Sequence, residues 1–297
     1  MAARQQDAIV GPHSCNDHAV DSRSGAWDSI DTVLCDLDGV VWLAHQPIAG
    51  SVEAIGRLRS SGRRVLFVTN NSAAVRSQHE AALSAIGIPA EGDVVSSAMA
   101  AALLVQPGDR VLVAGGPGVV EAFEERGADV VLNDGQGSAA GFDAVVVGLH
   151  RDFDFDRLTV ASAAVRAGAR LIGTNTDSTY PTPNGLQPGG GSILAAVATA
   201  SGVDPVIGGK PHEPMAELIA RMISTPERPF DPRRAVMVGD RPETDGLFAK
   251  RLGCHFALVR SGVSQPDARI DGDIAVDFDL PDLASLARLV SASDQGQ

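Results

Sequence analysis

The chain is predicted to adopt an α/β fold built on a doubly wound parallel sheet. Three observations predict it. Short apolar runs at Val33-Leu34-Cys35, Val65-Leu66-Phe67-Val68 and Ala235-Val236-Met237-Val238 read as buried strands. Stretches with helical periodicity lie between them, so strand, crossover and parallel strand form βαβ units. The three runs end in Asp36/Asp38, Thr69/Asn70 and Asp240, and in open α/β sheets ligands bind beyond such carboxyl ends.

The elements follow in order. Residues 1–27 are polar and aperiodic and are expected to form a disordered tail that includes His13, Cys15 and His18. The first strand ends in the Asp pair. Residues 51–61 read as a helix with Val52, Ile55 and Leu58 on one face and Gly62 as its stop. The second strand runs into Thr69-Asn70-Asn71-Ser72, followed by a helix to about Ile86. Residues 103–204 repeat the style, with strands expected at 111–114, 130–132, 144–147 and 170–173 and helices near 119–126, 155–166 and 192–200. The Gly- and Pro-rich stretch 179–191 has the turn chemistry of a functional or boundary loop. In 205–297, Gly209-Lys210-Pro211 precedes a helix carrying Met215, Leu218, Ile219 and Met222. Strands follow at 235–238 and 256–259, and Leu283, Leu286 and Leu289 mark a last helix.

Composition narrows the functional classes. A chain of 297 residues, 44% of them hydrophobic, can bury a sizeable core. No stretch approaches the roughly 18 apolar residues of a membrane span, and the first residues lack the apolar core of a signal peptide. Three cysteines without metal-type spacing fit a reducing compartment. A cytoplasmic location is expected, with Cys35 as a core residue. The net charge of −13 argues against nucleic acid and anionic membranes as partners.

Asp36 and Asp38 stand two apart, hence on one face of a strand and roughly 6–7 Å apart. Asp240 adds a third carboxylate. Three acids in one cleft are costly unless a divalent cation and a Lys offset them, and Lys210 is the candidate. Thr69 and Asn70 can donate hydrogen bonds to a phosphoryl oxygen or cap a following helix, since both uses share one geometry. These are the parts of a phosphoryl-transfer site.

The ordered motifs Asp36-Leu-Asp-Gly-Val40, Thr69-Asn-Asn-Ser72, Gly209-Lys-Pro211 and Gly239-Asp-Arg-Pro-Glu-Thr-Asp245 resemble the haloacid-dehalogenase superfamily. Within it they are most similar to the NagD-type and 4-nitrophenylphosphatase-type branch, over roughly residues 28–290. The resemblance implies a Rossmann-like core at 28–102 and 205–297, with an α/β cap domain inserted at 103–204. It also implies a Mg²⁺-dependent phosphoric monoester hydrolase. Asp36 would be the nucleophile that forms an aspartyl-phosphate, and Asp38 the general acid and then base. Asp36, the Asp38 backbone carbonyl and Asp240 would hold Mg²⁺, with Asp245 supporting them. Thr69, Asn70 and Lys210 would grip the phosphoryl group. The cap loop with Asn175, Asp177 and Tyr180 would read the leaving group. Glycerol 3-phosphate, phosphoglycolate or a similar small phosphorylated metabolite is the expected substrate. Relatives often dimerise through the cap, so the resemblance allows a homodimer.

Departures from the family pattern are Glu243, Gly246 and Thr176, where relatives often carry Asp, an aliphatic residue and Pro. Two other classes share these motifs: a phosphotransferase or mutase on the same core, and a receiver-like module phosphorylated on Asp36. The latter needs neither Asp38 as an acid nor a cap. Gly115-Gly-Pro-Gly118 lacks the Lys-Ser/Thr of a P-loop and is read as a structural turn. His150 and His212 are read as solvated.

Overall fold

The computed structural model describes residues 27, 29–182, 185–262 and 274–293. The expected tail, with His13, Cys15 and His18, lies outside them except for Trp27, which is fully buried and meets Phe278 edge-on.

In chain order the elements are β1 Thr32–Cys35, β2 Trp42–Leu43, β3 Gln46–Pro47, α1 Ser51–Ser60, β4 Arg64–Thr69, α2 Arg76–Ala85, β5 Val94–Ser96 and α3 Ser97–Ala102. Next come β6 Arg110–Ala114, α4 Pro117–Glu125, β7 Asp129–Leu132, β8 Ala144–Val147, α5 Phe155–Arg166, β9 Arg170–Gly173, β10 Thr179–Thr182, β11 Gly185–Pro188, α6 Gly190–Ser201 and β12 Val206–Ile207. The chain closes with α7 Glu213–Ile223, β13 Ala235–Gly239, α8 Leu247–Leu252, β14 His255–Val259, β15 Phe278–Leu280 and α9 Leu283–Ser293.

The first sheet has six parallel strands in the order β15-β14-β13-β1-β4-β5. The strand order reverses at β1, which opens a crevice at the carboxyl ends of β1, β4 and β13. Alternate side chains feed two apolar layers, as the period of a strand requires. Val33, Val65, Val236 and Val259 meet Ile55 and Leu58 of α1 and Leu283 and Leu286 of α9. Leu34, Leu66, Met237 and Leu258 meet Met215 and Ile219 of α7 and Phe248 of α8.

The second sheet has five parallel strands in the order β12-β9-β8-β6-β7. It is the α/β cap, with α5 and α6 on one face and α3 and α4 on the other. The expected join at residue 204 falls just short of β12, which pairs with β9. Helix α3 binds the two units together, because Ala98, Ala101 and Ala102 pack in the cap while Ala100 packs in the core. The expected loop at 179–191 is a two-stranded antiparallel ribbon, β10–β11, leading straight into α6. Gly118 meets the purpose of a structural turn: a Cβ there would lie 2.1 Å from the Ala74 carbonyl oxygen, so α4 can approach the core loop only with glycine.

Candidate active site

The ladder of β1 extends one residue past the strand, with Asp36 N–H donating to the Val238 carbonyl at 2.9 Å. The chain then bends away, so Asp38 stands on the turn rather than on the strand. Gly39 makes the bend with φ 91°, a left-handed conformation that favours glycine. A side chain there would also strike the Asp240 carboxylate, 2.4 Å from the Cβ position. The short β2–β3 hairpin follows, and its Trp42 indole donates to Asp38 Oδ1 at 3.1 Å. Asp240 caps β13, and Asp245 lies on a single wide helical turn, Pro242–Gly246.

Lys210 enters as the chain returns from the cap and is only 2% exposed. Its Nζ donates to Asp36 Oδ1 at 2.8 Å, Asp245 Oδ1 at 2.7 Å and the Val68 carbonyl at 2.9 Å. All three donors of the ammonium are thereby used. Asp245 Oδ2 also accepts from the Arg241 backbone N–H at 3.2 Å. Oxygens of Asp36, Asp240 and Asp245 lie within 4.8 Å of one another. Burial pushes the Asp36 carboxyl well above the usual range; Lys210 pulls it down, and Asp245 and Asp240 push it up again. Burial works against the Lys210 ammonium, but Asp245 and Asp36 outweigh it and hold its pKa above normal. One ammonium for three buried carboxylates leaves an excess of negative charge that a hard divalent cation with oxygen ligands would neutralise. The donor set therefore fits Mg²⁺.

Burial also raises the Asp38 carboxyl, against the opposing pull of His45 and the Trp42 hydrogen bond. A carboxyl raised in this way holds its proton to higher pH than a free one, which suits it to protonate a leaving group.

Thr69 ends β4, and its Oγ1 accepts from Asn71 N–H at 3.0 Å. No helix starts here, since α2 begins at Arg76. The Asn70 amide is committed to the returning chain. Its Oδ1 accepts from Lys210 N–H at 2.9 Å, and its Nδ2 donates to the Lys210 carbonyl at 3.2 Å and to Asp177 Oδ2 at 3.1 Å. The Asn70 carbonyl accepts from Asn175 Nδ2 at 2.7 Å. Asn175 and Asp177 thus tie the cap to the core directly above Lys210. Burial raises the Asp177 carboxyl, with Arg241 the main opposing charge. A carboxyl raised in the folded state binds its proton more tightly there than in the unfolded chain, so its contribution to stability falls as pH rises through the raised value. Asp177→Asn is therefore expected to raise the melting temperature at pH 8 and to change nothing below pH about 4, where both states are protonated. A thermal melt of both proteins across that range checks it.

The haloacid dehalogenase-like hydrolase family matches residues 33–129, and a second model of HAD-like hydrolases matches residues 207–286. D-glycerol 3-phosphate phosphatase of Mycobacterium tuberculosis is 40% identical over 240 residues, which is 79% of this chain and 64% of that protein. The chain thus spans under two thirds of that relative's length. Mouse chronophin is 39% identical over 78% of this chain and 81% of its own length. The chain belongs to the haloacid dehalogenase-like hydrolases. The crystal structure of the M. tuberculosis glycerol phosphate phosphatase in complex with magnesium superposes with a TM-score of 0.77 at 35% identity, covering 89% of this chain and 79% of that one.

Between core and cap the hydrolase has a cavity of about 500 Å³ that is open to solvent on one side. Asp36, Asp38, Thr69, Asn70, Lys210 and Asp245 form its floor, and Asn175, Asp177 and Tyr180 reach it from the cap. Asp240 is fully buried beneath, among the acids beside Asp36. Gly189 and Gly190 line the wall as well. Among the polar lining residues that sequence reasoning missed are His45, Arg151, Gln187 and Arg241. Arg241 lies inside the fourth motif, where its position was legible. Arg151 and Gln187 carry no local signal: the β10–β11 register sets Gln187 opposite Tyr180, and Arg151 reaches them from the loop before α5. Cys35 packs in the apolar layer on the far side of β1.

Proposed function

We propose that this hydrolase cleaves small phosphomonoesters with Mg²⁺ in two in-line displacements at Asp36. The observation that carries the reading is the Asp36–Lys210–Asp245 chain of hydrogen bonds at 2.7–2.8 Å, set beside Asp240 at the base of the cavity between core and cap. Asp36 attacks phosphorus and becomes an aspartyl-phosphate while Asp38 gives its proton to the departing alkoxide. Asp38 then takes a proton from the water that attacks the phosphoryl group, and Asp36 is released. Thr69 holds a phosphoryl oxygen, Lys210 turns to another once the phosphoryl group displaces one of its present acceptors, and Asn70 fixes the Lys210 backbone that aims the ammonium. Asp245 orients Lys210 and supports the metal-side carboxylates. Asp36, the Asp38 carbonyl and Asp240 would hold Mg²⁺, which when bound offsets the charge gathering on the phosphoryl oxygens.

The substrate class we assign is a small phosphorylated metabolite such as glycerol 3-phosphate or phosphoglycolate, with Asn175, Asp177 and Tyr180 facing the leaving group. No helix among the described residues is long and apolar enough to cross a membrane. A cytosolic site of action accords with the free thiols of Cys35 and Cys254. A homodimer is part of the same proposal, and light scattering on the purified chain reads it.

Phosphate release from a panel of phosphorylated metabolites is expected with Mg²⁺ and to disappear with EDTA. Release that EDTA leaves untouched would exclude the metal. A stable phosphorylated protein without turnover would move the reading to a receiver, and release only on adding an alcohol acceptor would move it to a transferase.

A further inference from the structure

One cluster in the cavity has no part in the chemistry at phosphorus. Tyr180 and Gln187 face each other across β10 and β11, so their side chains share one face of the ribbon. Arg151, from the loop before α5, reaches both. Its Nη2 donates to Tyr180 Oη at 2.7 Å and lies 3.3 Å from Gln187 Oε1, and Tyr180 Oη lies 2.8 Å from the same Gln187 oxygen.

The proton inventory of this triangle is determined. A guanidinium only donates, so Gln187 must turn its oxygen toward Arg151. Tyr180 accepts from Arg151 and therefore spends its own proton on Gln187. The Gln187 amide NH₂ and the remaining guanidinium N–H groups are left over as donors, and no other side-chain hydrogen bond engages them among the described residues. Every acceptor in the triangle is used and only donors remain.

The charge count points the same way. The protein carries thirteen negative charges in excess, and most of its described arginines sit against carboxylates, Arg59, Arg76 and Arg260 among them. Arg151 pairs with no carboxylate among the described residues, although it lines a cavity whose floor is acidic. The acids around the cavity have their own partners: Asp36 and Asp245 hold Lys210, Asp38 holds Trp42, and Asp177 from the cap holds Asn70. Two neutral side chains fix the guanidinium in place without neutralising it.

We infer that Arg151, Tyr180 and Gln187 form a subsite for a second anionic group on the leaving alcohol, so that the preferred substrates are phosphomonoesters bearing a carboxylate or a further phosphate. This rests on the phosphatase reading and narrows it: a neutral polyol phosphate fills the cavity but leaves the fixed cation and its donors unmatched.

The test uses the full chain with Mg²⁺ and a matched series of ω-substituted alkyl phosphates of two to four carbons, ending in hydroxymethyl, carboxylate or a second phosphate. The expected result is a kcat/KM at least about tenfold higher for an anionic end at one chain length, carried mainly by KM, a modest ratio because Arg151 is exposed to solvent. The carboxylate and phosphate arms show which anion the subsite takes. Arg151→Gln is expected to bring the ratio close to one, Arg151→Lys to restore part of it, and Tyr180→Phe to lower it by freeing the guanidinium. Hydrolysis of the neutral esters with no gain from either anion would overturn the subsite and leave the phosphatase intact. A gain that survives Arg151→Gln would also overturn it. Failure to hydrolyse any member would remove the phosphatase reading and the subsite with it.

Discussion

Asp36→Asn is expected to lower phosphate release by about 10⁴-fold or more, as loss of a covalent nucleophile does, while leaving the fold in place. The two halves of that expectation come from different properties of the same atom. Asp36 Oδ1 accepts from Lys210 at 2.8 Å, and the amide oxygen of Asn can accept in its place. The substitution removes one of three carboxylates crowded within 4.8 Å, so like-charge repulsion falls and urea stability should hold or rise. What an amide cannot do is attack phosphorus and leave again as a carboxylate. Turnover near the wild-type rate would exclude Asp36 as the nucleophile. Loss of turnover together with loss of the urea transition would mean that the fold, and not the chemistry, had failed.

Much of this site was legible before the structure because its residues are punctuation at the ends of apolar runs. Asp36, Thr69 and Asp240 each stand at the end of a buried strand, and the reversal of strand order at β1 brings those ends together. The same logic placed the second parallel sheet, whose strands at Arg110–Ala114, Ala144–Val147 and Arg170–Gly173 are apolar runs of ordinary length. Val94–Ser96 and Ser97–Ala102 passed unnoticed, since three residues make no period and an alanine-rich turn of helix resembles the strand end it follows. The β10–β11 ribbon was hidden by its own composition, since Pro181 and Pro188 speak against strand in any central position. They are tolerated because the ribbon has two strands and no neighbours to satisfy. The Arg151 triangle lay further out of reach: its members are 29 and 36 residues apart, and nothing in the stretch around Arg151 announces a partner. Asn70 was visible as a polar residue at a strand end, but that its amide would bracket the Lys210 backbone is a tertiary fact.

Lys210→Met should be the most destabilising single change at this site. The long unbranched side chain of Met fills much of the same volume, so the effect reads charge more than packing. Without the ammonium, Asp36 and Asp245 lose their shared donor in a site where Lys210 itself is 2% exposed. Removing one partner from a buried ion pair costs about 3–5 kcal/mol, because the remaining charge stays desolvated. Here two carboxylates are stranded beside a third, so the upper end of that range applies in EDTA. The loss should shrink on acidification. With Lys210 gone the Asp36 carboxyl, already raised by burial, loses the charge that pulls it down; the folded state then binds more protons than the unfolded chain, and stability falls as pH rises through that window. Mg²⁺ should recover part of the stability by supplying the missing positive charge. Asp245→Asn in the Lys210→Met background should recover another part, giving a positive coupling in a double-mutant cycle. That double variant keeps the test open if the single one cannot be purified. Urea unfolding of the four proteins with EDTA or Mg²⁺, at pH 5 and pH 8, measures all of these terms. A Lys210→Met protein as stable in EDTA as the wild type would show that these carboxylates do not carry the uncompensated charge on which the metal assignment rests.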